Sequence, residues 1–446
     1  ITGLQSLGFS IYLVMKKRSW KKIIIPILIV LFGAVLLTHK LGEQYMWTDE
    51  IFSFEAAKMI IEKGTPLYDS GLYYGRSRIY HQLLAWSMSL FGVNEFGSTI
   101  INLPFILSTS LLLYFVQGKT NWKLGLTASL LYLTTNFTIA LTRETRMYAM
   151  AQFLLFTLVL CIYRITKVIE QYIDKREKIK DLVTVKNLAI MLITLLVAYL
   201  SYYTQPLSGI LIIPTIIYFI ILSISKTNWR FIIFSLLGLV ALFGGIYARY
   251  DTTNIFEWFK TLSPTWADTI VPTYYLVITA RNLPWVSLSF FPILYLIFKK
   301  GRLSYIYLLT ILTTFFLFLS LQAAQHERYW QLMIPIIILV AITSIWDFTS
   351  RYSGKLKLFF TITSILTITI PHIALAVKEL TETGTYTRTS IYQYKKFQFN
   401  DLFDDLDKNI EGKILIADYH LKAFGVQSFA FYPVVLVSES RIETEG

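Results

Sequence analysis

Charge is what this sequence has least of. Only 15% of its 446 residues are Asp, Glu, Lys or Arg, where a soluble globular protein carries about 25%. Cysteine is nearly absent. Cys161 is the single one and sits inside an apolar run, which excludes a disulfide framework and a cysteine metal site. Acidic residues are scarcer than basic ones, and the net charge is +13. A cleavable signal peptide is not legible either: the basic run at 16–22 would start a signal anchor, but 38–41 offers no cleavage site. The first residue is Ile1, so a fragment or a processed chain is expected. Internal repeats and low-complexity tracts are missing.

What is there is hydrophobic: 55% of residues, with a mean hydropathy of +0.54. The apolar residues come in blocks of about 15–20, the length that crosses a bilayer as a helix. A soluble helix of that length would show a polar face, and 23–37, 303–319 and 359–370 show almost none. The blocks predict spans at 23–39, 99–116, 124–141, 148–164, 188–203, 207–225, 231–247, 285–298, 303–321, 331–346 and 358–377. Pro206, Pro214 and Pro335 fall within or beside spans, where membrane helices tolerate them.

Basic residues give the orientation. Lys16 to Lys22, then Lys119 and Lys123, then 164–186, Lys226 and Arg230, Lys299 to Arg302, and Arg351 to Lys357 all fall on one side of this scheme. The positive-inside rule assigns that side to the cytoplasm. Beside apolar blocks these cations serve topology and lipid headgroups, so nucleic acid is not expected as a partner. The opposite side receives 40–98, 142–147, 204–206, 248–284, 322–330 and everything from 378.

The fold class expected is an all-α polytopic membrane protein of about eleven transmembrane helices, with interfacial helices in the first outer loop and a small C-terminal α/β extracytoplasmic segment. Residues 1–377 form the transmembrane domain. Its first outer loop, 40–98, holds helices at about 50–63 and 79–91 that lie along the interface. Gly64 and Pro66 stop the first of them. The loop 248–284, rich in Trp, Tyr and Pro, is expected to cover a site as a lid. The tail, 378–446, carries two strand-like runs, 413–417 and 434–437, and is expected to be incomplete.

Four outer clusters could carry chemistry. Asp49-Glu50 follows the first span. As structure, Asp49 caps a helix and Glu50 suits its dipole; as function, one carboxylate is a general base. Successive helical residues diverge by about 100°, so only one of the two should face a cavity. Tyr73-Tyr74-Gly75-Arg76-Ser77-Arg78-Ile79-Tyr80-His81 reads as an aromatic belt with snorkelling arginines, or as a site where arginine forks take phosphate oxygens and tyrosines take sugar faces. In Thr142-Arg143-Glu144-Thr145-Arg146-Met147-Tyr148 the two arginines would share a face on a helix start; an internal Arg–Glu pair is the structural reading. Gln325-His326-Glu327-Arg328-Tyr329 offers a metal-ligand pair or a phosphate contact. Singly these clusters are weak. Together, the outer arginines Arg76, Arg78, Arg143, Arg146 and Arg328 oppose the topological bias and ask for an anionic partner, such as a polyprenyl phosphate.

A first span, then Asp-Glu, a helix ending Gly-x-Pro, a Tyr/Arg-rich segment and a second helix ending Leu90-Phe91-Gly92 resembles the GT-C glycosyltransferases. Within them the chain is most similar to the protein O-mannosyltransferase and lipid A aminoarabinose transferase branch. Arg-x-x-Arg-Met-Tyr at 143–148 and Arg328-Tyr329 entering the Pro335 span match as well, and the resemblance covers about 23–346. It implies a lipid-linked sugar donor such as a polyprenyl-phosphate monosaccharide, an acceptor on the outer face (protein, lipid or glycan), and Asp49 as general base in an inverting transfer. It places the protein in a bacterial plasma membrane with its site facing outward. The aminoarabinose transferases carry Glu-Lys-Pro-Pro where this chain has Arg76-Ser77-Arg78-Ile79, so an arginine must replace the lysine. The acidic metal ligand expected there is missing, which leaves a divalent metal open. A transporter or flippase of lipid-linked saccharides is the rival class, but it should line its spans with charge, and these interiors are nearly free of it.

Overall fold

A computed structural model of the chain describes residues 21–43, 46, 48–67, 73–118, 121–175, 184–225, 273–289, 303–320 and 327–381. Among them helix is the only extended element, and Leu67 and Tyr73 make an isolated antiparallel bridge. Five helices are long and apolar enough to cross a membrane: Glu95–Gly118, Tyr148–Ile169, Asn187–Thr204, Glu327–Thr349 and Gly354–Val377. A sixth is formed if the bent pair Trp122–Leu133 and Asn136–Thr142 counts as one. Shorter apolar helices, Ile23–Thr38, Pro206–Leu222 and Ile306–Ser320, stand at three further expected spans. The expected span 231–247, most of 285–298, residues 248–272 of the lid-like loop and the tail beyond 381 lie outside the described residues.

In chain order, α1 is Lys21–Thr38, α2 Thr48–Lys63, α3 Arg78–Phe91, α4 Glu95–Thr99, α5 Asn102–Gly118, α6 Trp122–Leu133, α7 Asn136–Thr142 and α8 Tyr148–Lys175. Then come α9 Val185–Thr204, α10 Ile212–Ser225, α11 Tyr274–Asn282, α12 Leu303–Ser320, α13 Glu327–Trp330, α14 Ile334–Thr349 and α15 Gly354–Thr381. The span containing α14 is 78% buried and forms the centre, whereas those of α9 and α15 are 11% and 12% buried and lie at the perimeter, where apolar side chains can face lipid. Helices α5 and α6 pack closely. A Cβ at Gly125 would come within 2.5 Å of the Tyr114 carbonyl oxygen, a small-residue contact of the kind membrane helices use.

The segment between α1 and α4 folds as two stacked helices. Helix α2 buries Phe54, Ala57 and Ile60, and α3 answers with Tyr80, Leu84, Ala85 and Met88. The breaks fall where backbone chemistry demands them. Gly64 has φ +74° and closes α2 with its N–H on the Ile60 carbonyl at 2.9 Å, and Gly92 at φ +101° does the same for α3 on Met88. One expectation needs correction. Helix α2 already begins at Thr48, so Asp49 lies within its first turn rather than at the cap, where the helix dipole still favours a carboxylate.

The expected span 124–141 is not straight. It bends by 58° between α6 and α7. Thr135 accepts the Thr138 N–H at 3.0 Å and starts α7 afresh. The Leu131 carbonyl, near the end of α6, faces His372 Nε2 of α15 at 2.9 Å, as does Thr134 Oγ1. The bend delivers the following turn, residues 143–147, into the end of the bundle where the first outer loop sits.

Candidate active site

The site grows from the first turn of α2. Asp49 and Glu50 are neighbours that diverge. The Asp49 carboxylate, about 30% exposed, accepts a hydrogen bond from Arg328 Nη1 at 2.6 Å through Oδ2. The same oxygen lies 3.9 Å from Arg146 Nη2, too far for a hydrogen bond but close enough for Coulomb attraction. Glu50 turns inward. It is buried, and its Oε1 accepts the backbone N–H of Thr145 at 2.9 Å. One carboxylate reaches the accessible side and the other fastens a loop.

That loop is 143–147. It is a turn, not a helix start, so the shared face expected for Arg143 and Arg146 is not formed. Both arginines are buried but aimed apart. Arg143 donates to the His39 carbonyl at 3.1 Å. Arg146 Nη1 lies within hydrogen-bond reach of the Asp49 carbonyl at 2.7 Å, Ser53 Oγ at 3.0 Å and Tyr74 Oη at 3.1 Å. Asn102, at the start of α5, donates to the Glu144 carbonyl and supports the turn from below. Ser98 and Thr145 share a hydroxyl hydrogen bond at 2.9 Å. The loop is thus held by Glu50, Asn102 and Ser98, on three different helices.

Arg328 arrives from α13. Its guanidinium carbon is 5.8 Å from the ring centres of both Tyr148 and Tyr329, which meet edge to face at 6.3 Å. Rings at this distance hold a cation without quenching its charge. Glu327 is half-buried beside it, and His326 lies outside the described residues. Among the described residues no three His, Cys, Asp or Glu come together as a metal-binding group. The Asp49 carboxylate already faces two guanidinium groups, a setting that repels a divalent cation.

The Tyr/Arg-rich segment divides. Tyr74 belongs to the buried network through Arg146, and its ring meets His81 edge on at 4.9 Å. Tyr80 is buried and donates to Asn102 Oδ1 at 3.4 Å. His81 is also buried, and its Nδ1 bonds the Ser77 carbonyl at 3.0 Å. Burial pushes the His81 pKa down, and the Arg146 charge adds to this, bringing it to about 4. Tyr73, Arg76 and Arg78 are exposed. Ser77 between the two arginines adopts φ 47° and ψ 43°, unusual for a residue with a Cβ. Its hydroxyl donates to the Thr204 carbonyl at the end of α9 and pins the segment there.

Sequence reasoning missed Ser53, Asn102 and Ser98. Ser53 carried a usable signal, since it lies one helical turn beyond Asp49 on the same face of α2. The other two had none before the helices were assembled.

Helices of membrane-spanning length accompany a carboxylate–arginine cluster: the class is a polytopic α-helical membrane protein with a buried polar site. More particularly, the fold is that of the GT-C glycosyltransferases. It is similar to the crystal structure of ArnT from Cupriavidus metallidurans bound to undecaprenyl phosphate, with a TM-score of 0.56 and 12% identity, covering 78% of this chain and 64% of that one. It is also similar to the archaeal oligosaccharyltransferase AglB from Archaeoglobus fulgidus in complex with an inhibitory peptide and a dolichol-phosphate: TM-score 0.58, 11% identity, 88% of this chain and 59% of that one. A third similar structure is the oligosaccharyltransferase of Archaeoglobus fulgidus with Zn and sulfate, at a TM-score of 0.54 and 13% identity, over 86% of this chain and 56% of that one. The chain thus spans less than two thirds of each of these proteins. No family model and no curated protein matches the sequence.

Proposed function

We propose that this chain is a glycosyltransferase that moves a monosaccharide from a polyprenyl-phosphate donor to an acceptor at the extracytoplasmic face, with inversion at the anomeric carbon. One observation carries the reading: a partly exposed carboxylate, Asp49, stands against the guanidinium groups of Arg328 and Arg146 at one end of a GT-C bundle. The fold supports it, since structures of that fold hold undecaprenyl phosphate and dolichol-phosphate.

The chemistry follows from the charges. Asp49 takes the proton from an acceptor hydroxyl as that oxygen attacks the anomeric carbon. The bond from that carbon to the phosphate oxygen breaks, and its electron pair leaves with the lipid phosphate. A phosphate is stable as an anion, so no second carboxylate is needed as general acid, in contrast to a glycoside hydrolase. Arg328 and Arg146 offset the charge that gathers on the phosphate. Backside attack in one step inverts the sugar. Exposed Arg76, Arg78 and Tyr73 stand where an incoming polar chain or headgroup could meet them. The positive-inside bias of the sequence supports a site facing away from the cytoplasm, as expected for a bacterial plasma-membrane enzyme.

The test is mass spectrometry of the purified protein in membranes, given polyprenyl-phosphate sugars. Release of free polyprenyl phosphate together with a sugar gained by an acceptor supports the reading. Movement of intact donor across the membrane, with no bond broken, replaces it with a transporter.

A further inference from the structure

Arg328 and Arg146 are not held alike. Arg146 is fastened by a carbonyl, a serine and a tyrosine. Arg328 rests between two tyrosine rings, and its short hydrogen bond reaches Asp49, the carboxylate assigned above as base. A carboxylate held at 2.6 Å by a guanidinium is a poor base, because the cation stabilises its charged form. In the proposed reaction the same guanidinium also offsets the charge of the donor phosphate. Asp49 and a phosphate therefore compete for one cation.

We propose that Asp49 occupies the phosphate site of the ligand-free protein as an internal anion, and that the lipid phosphate exchanges with it. Donor binding then does two things at once. It fills the Arg328 fork, and it frees Asp49 to accept a proton only when a sugar donor is in place. Such an exchange imposes an order, donor before acceptor, and keeps an idle site from activating water. This inference rests on the proposed function for the identity of the anion, but it makes a claim about binding that turnover does not report. Arg146, 3.9 Å from the same Oδ2 and fixed by its other partners, stays in place during the exchange.

The prediction has an unusual sign. Removing the carboxylate that serves catalysis should strengthen the binding of the lipid phosphate. The probe is a short-chain polyprenyl monophosphate added to the full-length protein in detergent, with the matching polyprenol as uncharged control. Asp49→Asn and Asp49→Ser should each tighten phosphate binding by about tenfold, the size of one charge-assisted hydrogen bond, and leave polyprenol binding unchanged. Arg328→Ala should weaken the phosphate by a similar factor. Thermal melting of each variant verifies that it is folded, and two Asp49 variants guard against a fault in one. Unchanged or weaker phosphate binding in both Asp49 variants, with binding still lost in Arg328→Ala, would overturn the exchange and leave the transferase reading standing. Phosphate binding indifferent to both positions would overturn the exchange and the placement of the donor together.

Discussion

Asp49 and Arg328 are 279 positions apart in the chain and meet at 2.6 Å, while Glu50, the very next residue, turns the other way to hold the Thr145 N–H at 2.9 Å. The divergence separates two roles that adjacent carboxylates would otherwise share. In the proposed reaction Asp49 carries the chemistry, while Glu50 holds the loop that carries Arg146.

Glu50 therefore should behave as a positioning residue. Its carboxylate is buried and accepts a backbone hydrogen bond, so Glu50→Ala leaves a buried N–H without that acceptor. We expect a loss of about 1–3 kcal/mol of stability, read as a lower melting temperature in detergent, with Glu50→Gln much milder because its amide oxygen still accepts. An unchanged melting temperature for Glu50→Ala, with turnover abolished, would instead make Glu50 a catalytic group.

The two arginines of the cluster should respond differently to lysine. Arg146 is buried with one nitrogen, Nη1, within reach of three oxygens, a position that the shorter lysine stem does not attain. Arg146→Lys should destabilise the fold. Arg328→Lys should leave melting nearly unchanged and weaken lipid-phosphate binding by about tenfold, since the planar fork is lost. Equal melting for the two variants would show that Arg146 does not organise the site.

His81 sets a pH dependence. Its pKa in the fold is near 4, against about 6.5 when unfolded. The unfolded chain thus binds the proton more tightly. The neutral ring's contribution is fully present above about pH 6.5 and is lost as pH falls toward 4, by about 3 kcal/mol in all. The melting temperature of wild type should fall across that window, and His81→Gln should flatten the fall. A variant with the same acid slope would assign the loss to other groups.

The helices of the first outer loop were legible because their stops are local: Gly64, Pro66 and Gly92 end them by backbone geometry alone. Nine of the expected spans coincide with apolar helices, for the same reason that bilayer thickness fixes a length. The bend at Thr134 and Thr135 was not legible, since 124–141 is apolar on both sides of it and the His372 contact comes from a distant helix. The sequence's charge pattern grouped the arginines onto one set of segments but could not say where each points. Arg146 enters the buried network through Tyr74 and Ser53, Arg143 serves a carbonyl, and Arg76 and Arg78 stay exposed. Those directions depend on which helices pack beneath each residue, and spacing along the chain does not record that.

The most direct measurement of the central claim is sugar transfer by purified protein in native membrane vesicles, with free polyprenyl phosphate counted by mass spectrometry for wild type and Asp49→Asn. The account predicts release of the lipid phosphate by wild type and a rate lower by about 10²–10⁴-fold in Asp49→Asn, the usual contribution of a general base, with an unchanged melting temperature. Full transfer by Asp49→Asn, or no sugar lost from any polyprenyl-phosphate donor offered to wild type, would contradict it.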